Sequence, residues 1–356
     1  MCKVQRFLRP ILIQNLVEKL NTGGPVKFLF DLINRVSPKK RIKVGWLLLG
    51  DVNTGSSRIH GLNIHRFLCS KGVESVIVQT SAHMTNTLTL SPEEQERVLN
   101  SGIDVLLFQK VRDEKAQQFA RAASGRGIRT VFIQCDCIDT QMVSAVDQVV
   151  VTSQNLCDYY RSHYGIEATV IQDAVEVDTS HGKQHRVKSP LTLIWVGYSD
   201  NWESVGMVRD VLDSMNDNDF VLKTISNHPE ADVPWALATV SDEILQADIG
   251  VIPAHLEAWG LGKSNNRLTM FMALGMPVVA SPVPSYLDII RQGRNGFLAR
   301  SQEEWTEALL ALKSVETRSA VGKQARLDSF GSFGLNTIGP QWLNLLRAAK
   351  GKGAHA

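Results

Sequence analysis

Cysteine is scarce and scattered: five residues, at positions 2, 69, 135, 137 and 157, with no Cys-x-x-Cys and no His partner at zinc-ligand spacing. Such an odd, dispersed set excludes a disulfide-stapled fold and fits a reducing cytosol. No apolar run approaches the ~20 residues that span a bilayer, and no apolar core followed by a small-residue cleavage site opens the chain, so insertion and secretion are not expected. Gly-x-Gly-x-x-Gly is missing, which removes the nicotinamide and flavin fingerprint. His-Glu-x-x-His and Gly-x-Ser-x-Gly are missing too, and His60 and His65 lie five apart on different helix faces. No metal, no cofactor and no α/β-hydrolase elbow are therefore expected.

What is present is ordinary for a soluble globular chain: 356 residues, 44% hydrophobic and 21% charged, enough for two domains. The net charge of +2 hides an asymmetry, since residues 1–43 carry ten Lys/Arg against Glu18 and Asp31, a balance of +8 that leaves −6 elsewhere. A basic arm on a mildly acidic body argues against nucleic-acid binding and for contact with an anionic surface such as a membrane. A merely solvated basic face is the competing reading. The arm, 1–42, reads as two amphipathic helices near 5–20 and 25–36, with Leu29, Leu32, Ile33 and Val36 on one stripe.

From Lys43 short apolar runs alternate with helix-length segments: 43–49, 75–79, 103–108, 129–134, 148–152 and 168–171 as strands, with helices near 57–71, 91–100, 113–125 and 153–164. Ser91 and Glu94 have capping-box spacing and Gly165 is a helix stop. Continuous apolar strands separated by helices predict a parallel sheet covered on both faces, over 43–177. A polar linker, 178–190, leads to a second such domain, 191–330, with strands 191–196, 220–225, 248–252 and 277–280 and helices near 202–215, 240–246, 264–274 and 284–292. A last helix carrying Trp342 belongs to the tail, 331–356. The expected fold class is α/β, two doubly wound parallel-sheet domains facing a cleft at the carboxyl ends of their strands.

Two loops carry the strongest ligand signals. Gly55, Ser56, Ser57 and Arg58 follow the first strand and open a helix, where free N–H groups and the helix dipole favour an anion; the plainer reading has Ser56 or Ser57 simply capping that helix. The second loop, Gly260 to Arg267, sets Lys263 and Arg267 four residues apart at a helix start, where the dipole disfavours a cation by ~0.3–1 kcal/mol. A bound diphosphate resolves that conflict, with Gly262, Ser264, Asn265 and Asn266 close enough to contribute; solvent-facing cations with Ser264 or Asn265 as a cap are the alternative. Gly262-Lys263-Ser264 also resembles the end of a triphosphate loop, but Glu257 stands where the first glycine is required. Asp136 and Asp139, after the fourth strand, are candidates for a base or a hydroxyl acceptor, and Lys110 follows the third strand. Asp173 reads as a turn residue.

The ordered series Ala247–Pro253, Lys263–Arg267, Ala273–Ser281 and Asn295–Leu298, with Ser56–Arg58, Phe108–Lys110 and Cys135–Asp136 earlier, resembles GT-B-fold glycosyltransferases of the large retaining group, the group 1, family 4-like type that includes sugar transferases of surface-polysaccharide assembly. The resemblance covers roughly 43–346. It implies transfer of a sugar from a nucleotide-sugar donor held mainly on the second domain to a glycan or lipid-linked acceptor held mainly on the first. It also implies catalysis by charge stabilisation at the leaving diphosphate, with Lys263, Arg267 and Asp136 as catalytic candidates, Asn201 among the donor contacts, and Lys110 and Asp139 on the acceptor side. Location is expected to be cytoplasmic, peripheral at the inner face of a membrane. Two departures stand out: Gly262 and Met270 occupy the positions of the common Glu-x7-Glu pair, and Gly197–Asn201 lacks the usual Arg and Lys. Glu257 and Asn201 are the candidates to substitute in part. A non-catalytic binding protein on the same scaffold, favoured by the missing acidic pair, and a nucleotide-sugar epimerase are the alternatives.

Overall fold

The computed structural model describes residues 41–135, 140–176, 180–256 and 262–352. The chain divides into two compact units, Met1–Arg41 and Ile42–Ala356. Both helices expected in the arm, and Asp136, Asp139 and Glu257, lie outside the described residues.

The unit Ile42–Ala356 contains two six-stranded sheets in which every pairing is parallel. The first has β1 (Lys43–Leu48), β2 (Glu74–Gln79), β3 (Val105–Gln109), β4 (Arg129–Gln134), β5 (Gln148–Val151) and β6 (Thr169–Val170) in the order β2-β1-β3-β4-β5-β6. The second has β7 (Leu191–Val196), β8 (Phe220–Ser226), β9 (Val233–Pro234), β10 (Ile249–Ile252), β11 (Val278–Ala280) and β12 (Phe297–Leu298) in the order β12-β11-β10-β7-β8-β9. In each sheet the winding reverses beside the first strand, between β1 and β3 and between β7 and β10. Such a reversal splays the flanking loops and opens a crevice beyond the strand carboxyl ends.

Both faces of each sheet are covered, which is why the strands are apolar runs rather than alternating ones. Val44, Trp46 and Leu48 of β1 join one buried cluster, while Leu47 joins the cluster on the opposite face with Leu106 and Phe108 of β3. The second sheet is likewise lined by two clusters, one containing Trp195 and Trp305 and the other Phe271 and Met272. Capping follows the sequence: Ser91 and Glu94 form both halves of a capping box at Pro92–Leu99, and Gly165 ends Gln154–Tyr164 in the left-handed conformation. The expected helix near 284–292 is only Pro284–Leu287. Beyond it the Asn295 side chain accepts the Arg291 N–H at 2.7 Å and donates to the Ile289 carbonyl at 3.1 Å, drawing the chain into a turn instead.

The last helix, Leu335–Lys352, returns to the first sheet. Ile338, Trp342, Leu345, Leu346 and Ala349 recur at helical spacing and are buried with Val44, Trp46 and Leu48. The Trp46 and Trp342 rings lie 6.1 Å apart, and a side chain at Gly339 would come within 2.5 Å of Phe67. Lys350 adds an ion pair to Asp104 at 3.0 Å. Trp342→Ala should therefore cost about 3–5 kcal/mol of stability, measured by urea denaturation, the scale for removing a large buried side chain. A loss below ~1 kcal/mol would show that the helix contributes little to the first domain's core.

Candidate active site

The loops at the carboxyl ends of both sheets border one cavity of about 1250 Å³. Gly55, Ser56 and Arg58 line it from the first sheet, with Lys110 beyond β3; Asn201, Lys263, Ser264, Asn266 and Arg267 line it from the second. The two segments singled out by the sequence therefore face the same space.

On the second-sheet side, the helix Asn266–Ala273 begins at the cavity wall. Its N-cap, Asn265, makes no side-chain cap hydrogen bond, and no acidic residue stands in its first turn. The first N–H groups thus lack a side-chain acceptor, the condition in which a helix N-terminus binds an anion. Arg267 is half-buried there, and its Nη1 approaches the Val196 carbonyl oxygen at 3.5 Å. Among the described residues no carboxylate lies within ion-pair reach of it. Lys263 donates from Nζ to Asn201 Oδ1 at 2.7 Å, which fixes the ammonium beside the same wall.

The first-sheet residues are more constrained. Ser57 does not line the cavity: it is fully buried, its hydroxyl donates to Gln109 Oε1 at 2.9 Å and accepts the Gly50 N–H at 2.9 Å. That hydroxyl therefore ties the loop to β3, and the structure places Ser57 behind the cavity wall rather than on it. Gly262 and Asn265 are buried and also lie off the cavity lining, and neither Asn265 amide atom has a hydrogen-bond partner among the described residues. Arg58 does line it, but its charge is already matched, with Nε and Nη2 donating to the two oxygens of Glu176 at 2.5 and 2.7 Å. The same guanidinium donates to the Val52 carbonyl at 2.8 Å and lies 5.3 Å above the Trp235 ring. Gly55 leaves that guanidinium approachable, since a side chain there would meet nothing nearer than Arg58 at 3.8 Å. Lys110 adopts φ 58°, the left-handed region that costs a non-glycine residue ~1–2 kcal/mol, and strain of this kind clusters at functional sites.

Four lining residues carry weight that the sequence reading did not assign: His60, Asp173, Glu176 and Trp235. His60 and Asp173 are both buried, with Nε2 3.0 Å from Oδ1. Burial works against the imidazolium, but the Asp173 carboxylate and the neighbouring Cys135 sulfur outweigh it and push the His60 pKa up to about 10. The available signal was Asp173 and Glu176 three apart, in the stretch where the chain leaves the first sheet. Among the described residues, no group of three or more His, Cys, Asp or Glu is placed to hold a metal ion, and no helix is long and apolar enough to cross a membrane.

Two parallel-sheet domains of this kind form the GT-B fold, and solved glycosyltransferases share it. Residues 184–314 match the family model described as glycosyl transferases group 1. Anabaena HepE, solved with UDP and glucose, superposes with a TM-score of 0.65 at 13% identity, covering 86% of this chain and 100% of that one. A glycosyltransferase from Rickettsia africae gives 0.68 at 13% identity over 87% and 99% of the two chains. The sucrose-phosphate synthase of Thermosynechococcus elongatus gives 0.64 at 13% over 86% and 99%. No curated protein sequence matches the chain.

Because the folded-state pKa of His60 lies above its unfolded value of 6.5, the pair's contribution to stability is complete below about pH 6.5 and is lost as pH rises through about 10. Urea denaturation of wild type and His60→Gln across pH 6 to 10 should show a stability difference that shrinks with rising pH. A constant difference would remove the charged pair from the account.

Proposed function

We propose that the protein is a glycosyltransferase that takes a sugar from a nucleotide-sugar donor, with the nucleotide against the second sheet and the acceptor against the first. The observation that carries this reading is Arg267: a cation without a carboxylate partner among the described residues, at an uncapped helix N-terminus, opening on a cavity shared by both sheets. A diphosphate supplies the missing negative charge and accepts from the guanidinium, from Lys263 and from the free N–H groups together. The match of residues 184–314 to group 1 glycosyl transferases, a span that includes both cations, supports it. So does the UDP bound in the structures of Anabaena HepE. Trp235, Leu237 and Val240 offer an apolar wall for a base.

In this reading the bond between the sugar's anomeric carbon and the diphosphate oxygen breaks while an acceptor hydroxyl oxygen bonds to that carbon. The acceptor proton passes to the departing diphosphate, so the stereochemistry is retained. The cations act because negative charge grows on the diphosphate as that bond lengthens, which makes their attraction stronger in the transition state than before it. This assigns the diphosphate's charge to side chains and backbone rather than to a divalent ion, and EDTA should leave transfer unchanged. The acceptor is a glycan or a lipid-linked sugar of surface-polysaccharide or glycoconjugate assembly. The basic arm, residues 1–36, is proposed to hold the protein at anionic lipid on the inner face of a membrane.

A thermal-shift screen of UDP-, GDP-, CDP- and ADP-sugars finds the donor. Arg267→Ala should then lower transfer by ~10²-fold or more, and Arg267→Lys should recover only part, because a point charge does not reproduce bidentate contact with phosphate. A folded Arg267→Ala with wild-type donor affinity and turnover would end the assignment. Donor binding without transfer or hydrolysis would instead favour a binding protein. Deleting residues 1–36 should abolish co-sedimentation with anionic vesicles, and added salt should weaken it in the intact chain; unchanged co-sedimentation of the shortened protein would refute the role given to the arm.

A further inference from the structure

The chain crosses from the first sheet to the second along residues 171–176. The Ile171 N–H donates to the Val151 carbonyl at 2.9 Å, inside the first sheet, and the Val175 N–H donates to the Phe333 carbonyl at 2.8 Å, among the helices of the second. Asp173 lies midway and is 1% exposed, yet it lines the cavity. His60 gives it a countercharge at 3.0 Å, but neither carboxylate oxygen receives an aligned hydrogen bond from any described residue. A buried carboxylate with its lone pairs unfilled costs free energy until a donor arrives, and the cavity that Asp173 lines is where a ligand can bring one.

We propose that Asp173, positioned by His60, is a subsite that accepts hydrogen bonds from the hydroxyl groups of a sugar ring bound in the cleft. An anion is the wrong ligand for this end, since it would meet a carboxylate; an apolar group would leave both oxygens unfilled. Adjacent ring hydroxyls supply two neutral donors, and a carboxylate offers two acceptor oxygens at matching spacing. His60 approaches one oxygen, Oδ1, at 3.0 Å, and the carboxylate still offers acceptor lone pairs to the cavity it lines. Arg267 and Asp173 line the same cavity. The cleft thus has a cationic wall for phosphates and a carboxylate for hydroxyls. The proposal rests on the donor reading above, and the hydroxyls belong either to the transferred sugar or to the accepting one.

The test uses the full chain with UDP, GDP and ADP and with the glucose conjugate of each. Calorimetry gives the affinity gained by the glucosyl group, and saturation-transfer NMR gives binding of free glucose to the nucleotide complex. In Asp173→Asn the nucleoside diphosphate should bind as in wild type, while one of the two sugar contributions falls about tenfold or more, the loss expected when a hydrogen bond to a charged acceptor is removed. Loss in the conjugate identifies the transferred sugar; loss in free glucose identifies the accepting one. Asp173→Glu keeps the charge opposite His60 and should fold as wild type while still losing that contribution, which separates recognition from stability. Asp173 variants that fold and keep both contributions, or a wild type that binds nucleoside diphosphate but gains nothing from glucose, would overturn the proposal. A wild type that binds none of the nucleotides would overturn the donor reading itself, and this one with it.

Discussion

Arg267 stands where electrostatics alone would not put it, in the first turn of a helix whose dipole already presents positive charge. The packing behind it explains how the position is held. Leu268, Phe271 and Met272 of the same helix are fully buried, and Gly250 of β10 lets Phe271 sit close, since a side chain there would approach its ring to 3.1 Å. The helix is anchored by its apolar face, so its polar N-terminal face has no freedom to turn from the cavity. An unfavourable charge held by favourable packing is the usual form of a site preorganised for a ligand of opposite sign.

Two other charged groups that line the cleft are already paired. Arg58 is matched by Glu176, and His60 by Asp173, both pairs buried and both linking the first domain's opening helical turns to the segment 171–176 that leaves the first sheet. Replacing either member would leave its partner's charge buried and unmatched, a change that destabilises by several kcal/mol, about 3–5 in measured cases. These pairs tie that segment, whose Asp173 and Glu176 line the cavity, to the first domain. Ser57, Gln109 and Gly50 perform the same duty with neutral groups one layer deeper.

Much of this was legible in the sequence because it is local. The alternation of apolar runs with helical segments reads directly as parallel sheets, Ser91 with Glu94 reads as a cap, and Lys263 with Arg267 reads as a cation pair because the anomaly spans four residues. The pairs that were not legible join residues far apart. Arg58 and Glu176 are separated by 118 positions and Ser57 and Gln109 by 52, so neither sequence neighbourhood signals that the side chain is already engaged. The spacing of His60 from His65 carries no sign of its pairing, because the partner, Asp173, lies at the end of the first domain. The helix expected near 284–292 failed for a related reason: the Asn295 side chain offers the backbone a turn that competes with helix, and periodicity does not register that competition.

The central claim is that the cleft recognises a diphosphate through Arg267 and its helix. The most direct measurement is calorimetric titration of wild type and Arg267→Ala with a nucleoside, its monophosphate and its diphosphate. The account predicts that wild type gains affinity at each added phosphate, that Arg267→Ala loses the gain from the second one, and that nucleoside affinity is the same in both proteins. Equal affinity for all three ligands, or an undiminished diphosphate gain in Arg267→Ala, would contradict it.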